Sequence, residues 1–388
     1  MKKFQTFMRS NKNIIFFMVT TLAMMVMIWY GMNNQIDFGF NQNEGVTFPS
    51  GRVVEVVSDE TTIDESGIRM GRQDLLVELL SGDHRGKIVE TQNILFIEQG
   101  VYAREGERLI IYFEQMPGTM DYFARVHSHD RAMTIYVIVI LFFGLLATVF
   151  GKAGVRSAFG LVFTFVIIIF LLIPWIVSGG PPALLTLGVS LCITMVSLFS
   201  VMGFEKKTYV SIAGTSIGIL FYCLFYVIIS TALHVTGFNV SEMSSLITIG
   251  FNTYAGISEL LFCAILIASL GAVMDVSVSL SSVIAELHET NPEANFKALF
   301  RSGMKIGRDL IGSSSNTLIL AFTGTFLISL ILFRVNNFSY NMLINRVDIA
   351  VEVLRAISAS VAMVLCAPAT AIIGAYAHSS WGKRSENS

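Results

Sequence analysis

In a chain of 388 residues with 53% hydrophobic and only 14% Asp, Glu, Lys and Arg side chains, the groups able to do chemistry are a few carboxylates and hydroxyls set inside long apolar runs. Asp275, Ser279, Ser282 and Glu286 recur at i, i+4, i+7 and i+11, which on a helix gathers two carboxylates and two hydroxyls on one face. Asp309, Ser313 and Asn316 repeat the pattern at i, i+4 and i+7. Such groups offer oxygen ligands to a cation, a relay to a proton or hydrogen bonds to a polar solute, and a bilayer penalises them otherwise. The charge-free stretch between Glu259 and Asp275 has 15 residues. That is too short to cross about 30 Å of hydrocarbon untilted, so either the bilayer is thin there or Asp275 lies within it. The two stripes either face each other across a hydrated cavity or are helix ends whose side chains reach into the interface.

Other chemistry finds little support. His127 and His129 in Val126-His-Ser-His-Asp-Arg131 would share a face of a strand, but two imidazoles without a third ligand make no metal site, and the stretch reads as a polar connector. His84, His234, His288 and His378 show no ligand spacing. The chain has no H-E-x-x-H or P-loop pattern, and its G-x-S-x-G, Gly214 to Gly218, lies within an apolar run rather than at a strand-to-helix turn, so neither enzymatic activity nor a cofactor is expected. Cys192, Cys223, Cys263 and Cys366 all sit in apolar runs and read as small buried hydrophobes rather than a disulfide framework.

The elements that must position these residues follow from composition. Soluble domains carry about 25% charged residues, so this chain is neither a soluble enzyme nor disordered. Its mean hydropathy is +0.66. Eight apolar runs of roughly 20 residues each match the length of a membrane-crossing helix: 14–32, 132–150, 158–177, 182–202, 209–233, 257–282, 310–333 and 357–376. Unalternating runs of this length form helices rather than barrel strands, because lipid leaves backbone groups no outside partner. The expected fold is a polytopic α-helical membrane protein with about eight transmembrane helices.

Basic residues set its orientation. Lys2, Lys3, Arg9 and Lys12 precede the first run, Lys152 and Arg156 follow the second, and Lys206 and Lys207 the fourth. Residues 297–308 follow the sixth with four basic side chains, and Lys383 and Arg384 the eighth, so every second connection is basic. The inward preference of Lys and Arg places both termini in the cytoplasm and residues 33–131 outside. The first run is long for a signal peptide and no A-x-A site follows it before Asn33, so it reads as a retained anchor. The expected organisation is a cytoplasmic terminus and anchor (1–32), an outer domain (33–131), a seven-helix membrane domain (132–380) and a cytoplasmic tail (381–388).

The formal charge of −2 hides an asymmetry: residues 33–131 hold 17 acidic and 9 basic side chains, the rest of the chain 11 and 17. Nucleic acid is therefore not an expected partner. Within 33–131, β-like stretches at 51–57, 74–80, 86–90, 108–113 and 122–126 alternate with turn signals at Ser81-Gly82-Asp83, Gly100, Gly106 and Pro117-Gly118. Five short strands predict a small all-β domain between the first two spans, of an OB-like barrel kind.

Between the sixth and seventh runs, Asn291-Pro292-Glu293 has the order of a helix cap, first-turn proline and first-turn acid. The predicted amphipathic cytoplasmic segment, 288–308, sets Lys297, Arg301, Lys305 and Arg308 on one face and Phe296, Leu299 and Phe300 near another. Glu352 and Arg355 are i, i+3 neighbours suited to pairing, and Arg308 is a second candidate partner for Asp275. Pro174 and Pro368 interrupt the third and eighth runs, and Gly214 and Gly218 form a small-xxx-small pair in the fifth.

Several of these blocks carry a resemblance. Gly271-Ala-Val-Met-Asp275 with the serine-rich helix to Glu286-Leu287, then Ser302-Gly-Met-Lys-Ile-Gly-Arg-Asp309, Ser315-Asn-Thr-Leu-Ile-Leu-Ala321, Glu352-Val-Leu-Arg355 and Ala367-Pro-Ala-Thr-Ala371 resemble, in order and spacing, the signature blocks of the bacterial YibE/F family. The likeness runs from about Ala132 to the C-terminus, and the anchor plus outer domain is similar to the YibE type. Lys305 departs from the pattern, where an uncharged polar residue would be expected, in keeping with a basic inner face. The resemblance implies a multi-pass protein of the bacterial cytoplasmic membrane described as permease-like, of no named substrate. The expected function is thus a permease with a polar path on the sixth and seventh helices; the alternative is a non-transporting scaffold or accessory subunit whose outer domain binds a partner. Lipid is the expected surrounding, and a homo-oligomer or a hetero-oligomer with a related membrane protein fits both.

Overall fold

A computed structural model describes residues 2–33, 46–65, 67–96, 100–115, 121–236, 246 and 254–385. The chain divides into two compact units, one holding the strands and the chain through Leu145, the other the first helix and the chain from Leu146 onward.

In the β unit the expected stretches form longer strands: β1 (Val46–Thr47), β2 (Ser50–Ile63), β3 (Arg69–Leu79), β4 (Ile88–Leu95), β5 (Arg108–Gln115) and β6 (Tyr122–His129). They lie in the order β1-β5-β2-β3-β4-β6, and β5 also pairs with β6. All pairings are antiparallel except β4 with β6, which meet in parallel at Gln92 and Arg125. Along β4 every second residue is buried, the period of a strand with one face on a core. That core gathers Val53, Leu75, Val77, Leu79, Val89, Leu109, Ile111 and Phe113. β6 runs through His129, so the stretch expected as a connector is strand, and the His127 ring packs 5.2 Å from that of Phe48. The Gly82 and Gly106 turns adopt φ of +81° and +82°. The Pro117-Gly118 turn lies outside the described residues.

The helical unit holds α1 (Lys2–Asn33), α2 (Ala132–Ile167), a π-helical turn (Ile168–Leu172) leading into α3 (Ile173–Val177), α4 (Pro182–Met202), α5 (Lys206–Ala232), α6 (Tyr254–Thr290), α7 (Phe296–Thr325), α8 (Leu327–Val335), α9 (Tyr340–Ile344) and α10 (Val347–Ser385); the N-terminal part of α2 belongs to the β unit. Among the described residues six helices are long and apolar enough to cross a membrane, or seven when the bent pair α7 and α8 is one span. This count falls below eight because the second and third runs join in one 46-residue stretch, Ala132–Val177. At Gly151 that stretch leaves helical geometry, with φ +54° and ψ −130°, a conformation only glycine adopts without strain.

Two further differences have physical causes. The amphipathic segment and the seventh run share one helix, α7, and its cap is Asn295, whose Oδ1 accepts from Ala298 N at 2.9 Å. Asn291 instead ends α6, its N–H donating to Leu287 O and its carbonyl accepting from Ala294 N in the turn that carries Pro292. The seventh run then breaks by 53° at Phe326. Pro174, which lacks an N–H, follows the π-helical turn that re-spaces the backbone bonds ahead of it. α1 packs along this same helix, Phe17 against Phe159 at 4.9 Å, and a Cβ on Gly31 would lie 2.7 Å from the Phe170 carbonyl oxygen.

α10 runs through the centre of the helical unit, packed by α5, α6 and α7. Its buried Ala359, Ala362, Ala367, Ala371 and Ala375 let the neighbouring backbones come close. Against them lie Ile265, Leu266, Leu280 and Ile284 of α6 and Tyr222 of α5, whose hydroxyl donates to Phe262 O at 3.0 Å.

Candidate functional site

The residues singled out by spacing fall on the surface of the helical unit. Asp275 and Glu286 are exposed and Ser279 and Ser282 half-buried on α6, and Asp309, Ser313 and Asn316 are exposed on α7. The two stripes do not face each other. α7 meets α6 through Gly303 and Gly307, where added Cβ atoms would lie 3.0 Å and 3.1 Å from Ile284 and Leu280. At about 100° per residue the stripe from Asp309 to Asn316 lies on the far side of α7. Among the described residues no ion pair joins Asp275 to Arg308, which is itself exposed. Glu352 and Arg355 form an ion pair at 2.9 Å, and Arg355 reaches over the Phe322 ring of α7 at 5.8 Å.

The interior polar groups are other hydroxyls, one face away on the same helix. Ser277 and Ser281 of α6 are buried against α5 and α10. Ser281 and Ser211 of α5 share a hydrogen bond, and Ser211 also donates to Lys207 O at 3.0 Å. One turn away Ser277 Oγ shares a 2.9 Å hydrogen bond with Cys366 Sγ and lies 3.4 Å from Thr370 Oγ1. Thr370 donates back to Cys366 O at 2.9 Å, two residues either side of Pro368, and Cys366 Sγ reaches Gly214 O at 3.3 Å. Gly214 makes this meeting possible, because a Cβ there would stand 2.1 Å from Thr370 Oγ1. Spacing on one helix could not find this cluster. α6 shows serines on two faces, and only the small residues of α5 and α10 decide which face turns inward.

A second set of hydroxyls has no protein partner. Ser190 Oγ of α4, Thr215 Oγ1 of α5 and Ser358 Oγ of α10 belong to fully buried residues and accept or donate no hydrogen bond. Leaving such a group unsatisfied costs about 1–3 kcal/mol, so water or a solute reaching it would recover real free energy. At the other end of the same helices Glu259 of α6 accepts from Ala183 N at 3.0 Å, a carboxylate on the first turn of α4 where the helix dipole favours it. Its role in the sequence was only to bound an uncharged stretch. Among the described residues no group of three or more His, Cys, Asp or Glu side chains could hold a metal ion.

A bundle of apolar helices with hydroxyls in its core and a separate β domain defines a multi-pass membrane protein. The model of the YibE/F-like protein family matches residues 138–380, more than half of the chain, and the protein belongs to that family. No curated protein and no solved structure matches it.

Proposed function

We propose that this protein is a permease-like member of its family that moves a small polar solute or an ion through the helical unit. The observation that carries the reading is the set of buried, unpartnered hydroxyls of Ser190, Thr215 and Ser358 on three helices, beside the bonded cluster of Ser211, Ser277, Ser281, Cys366 and Thr370. A purely structural core has little use for orphaned hydroxyls, whereas a path needs groups that exchange partners. In this reading the chain crosses the bacterial cytoplasmic membrane eight times, Gly151 reversing it between the second and third crossings. Both termini are cytoplasmic. The β unit is extracytoplasmic, and its ring β5-β2-β3-β4-β6-β5 is an OB-like barrel. Neither an enzymatic step nor a cofactor is invoked.

A second reading rests on the exposure of Asp275, Asp309, Ser313 and Asn316. A carboxylate facing lipid costs about 2.5–3.5 kcal/mol on insertion scales, so another subunit, identical or related, would cover this face in a scaffold or accessory role. Sealed proteoliposomes offered ions, amino acids and peptides separate the two. The permease reading expects flux of one of these solutes, lost in Ser190→Ala or Thr215→Val at unchanged protein amount. Absence of flux across the whole panel, with the protein recovered as an oligomer, would replace it by the scaffold.

A further inference from the structure

The strands of the β unit close on each other at one weak point. β4 and β6 pair only at Gln92 and Arg125, and close by the Glu90 N–H donates to the Tyr122 hydroxyl at 3.2 Å, a side chain standing in for a strand partner. A cavity of about 450 Å³ opens at this seam. Its wall draws on both faces of the sheet: Leu75, Thr91 and Ala124 are at most 5% exposed, whereas Glu90, Tyr122 and Phe123 are open to solvent. Thr91 is 2% exposed, and its Oγ1 has no hydrogen-bond partner. Arg72 and Asp74, also on the wall, neutralise each other at 2.8 Å, and among the described residues Glu90 has no ion-pair partner. Tyr122 rests on Phe113 with ring centroids 5.4 Å apart.

We propose that this cavity is a binding site for a small organic cation, a primary ammonium or guanidinium group carried on a short carbon chain. The Glu90 carboxylate supplies the counter-charge, and aromatic rings such as those of Tyr122 and Phe123 attract a cation through their faces. Leu75 and Ala124 take the carbon chain, and the Thr91 hydroxyl gains the hydrogen-bond partner that the fold denies it. An apolar floor with a few converging polar groups is the usual form of a small-ligand site, and the volume lies in the usual range. The charge of the region points the same way, because 17 acidic against 9 basic side chains over residues 33–131 draw cations and repel anions. A divalent metal ion finds no oxygen shell here, since no group of three or more His, Cys, Asp or Glu side chains gathers among the described residues. A neutral polyol would gain nothing from the Glu90 charge. The inference is independent of whether the helical unit transports anything.

The test titrates the full-length protein in detergent with putrescine and with agmatine by calorimetry, and places each by hydrogen-exchange protection of β4 and β6. One molecule per chain is expected to bind, with added protection at the seam and an affinity that falls as salt rises. Glu90→Gln, at an exposed position, is expected to weaken binding at least tenfold, and Thr91→Val, of nearly equal size, severalfold. Glucose, acetate and Ca²⁺ are expected to give no saturable signal. Absence of saturable binding by both amines, or binding that survives Glu90→Gln unchanged, would overturn the site. Saturable binding of glucose or acetate at the seam in place of the amines would also overturn it, assigning the cavity to a neutral or anionic ligand.

Discussion

The two units solve the same problem, the satisfaction of buried polar groups, with different residues. In the β unit the buried polar side chains include amides that reach loops: Asn93 Nδ2 donates to Gln73 Oε1 at 2.9 Å and to Val101 O at 2.6 Å, and Gln73 Oε1 also accepts from Ala103 N at 3.0 Å. This pair fixes the segment before β5 to the inside of β3 and β4. In the helical unit the core polar groups are mostly hydroxyls, many bonding the carbonyl one turn back on their own helix, as Thr194 does to Ser190 O and Ser200 to Val196 O. A hydroxyl satisfied by its own helix costs little to bury and is free to change partner. Amides tied to loops hold a fold in one state, whereas hydroxyls bonded to their own helix can exchange partners without unfolding it.

The largest effect that sharpens this contrast is steric. Gly214→Leu places carbon where Thr370 Oγ1 stands 2.1 Å from the ideal Cβ, with the Thr370 Cβ itself at 3.0 Å, so α5 and α10 must separate. Overpacking costs typically 1–3 kcal/mol, and here it also breaks the Cys366 contact to Gly214 O, so loss of most folded, detergent-stable protein is expected. Gly312→Leu on α7, where an added Cβ meets nothing within 4 Å, is the control and should be recovered in normal amount. Size-exclusion profiles of the two variants check it; equal recovery would mean that α5 and α10 do not close as described.

Next comes the amide pair. Gln73→Leu strands the buried Ala103 N–H and one contact of Asn93, each worth about 1–3 kcal/mol, so the β unit should lose roughly 2–4 kcal/mol while the helices keep their stability. Hydrogen-exchange protection across β3 and β4 in the full-length protein reads this directly. A loss shared equally by the helices would show that the units do not unfold separately. Smaller again is Ser277→Ala, which removes contacts to Cys366 and Thr370 at a site where membrane hydrogen bonds average about 0.6 kcal/mol. Its melting temperature should scarcely move. If the hydroxyl core is the path, solute flux changes more than stability does; if it is only packing, neither changes.

The sequence exposed the β unit more faithfully than the helical core. Short β-like stretches between turn residues located all five long strands, because glycine and proline turns punctuate a small sheet directly in the chain. It could not show Gln73 and Asn93, whose partners lie 30 and 8 residues away at Ala103 and Val101. Apolar runs located the helices, but not where they break or join: Gly151 and the 53° bend at Phe326 interrupt runs that read as uniform or as separate. The stripe from Asp275 to Glu286 is genuine as a helical face and lies on the outside, since lipid-facing and core-facing sides of a membrane helix are both largely apolar and periodicity has little to weigh. Ser277 and Ser281 turn inward instead, because residues without bulk on α5 and α10 leave room for them.

The smallest effect concerns a carboxylate of the β unit and distinguishes it from the helices by pH alone. Asp59 accepts from the Thr61 hydroxyl at 2.6 Å, the Tyr102 hydroxyl at 2.9 Å, the Thr61 amide at 3.0 Å and Gln73 Nε2 at 3.3 Å. These bonds, the Thr61 hydroxyl foremost, outweigh a small desolvation and hold the carboxyl below the usual Asp range. A folded-state pKa below the unfolded one means that the unfolded chain binds the proton more tightly. The stabilisation is therefore complete above the unfolded value, near pH 3.9, and fades as pH falls through it and then through the lower folded value. Exposure keeps it under about 1 kcal/mol. Protection of β2 and β3, corrected for the intrinsic exchange rate, should decline between about pH 5 and pH 3. In Asp59→Asn it should decline less, because the other carboxylates of the unit titrate in both proteins and cancel in the difference. The helical unit should show no such difference between the two. Parallel curves for wild type and variant across that window would mean that Tyr102 and Gln73 hold the loop to β2 without the charge.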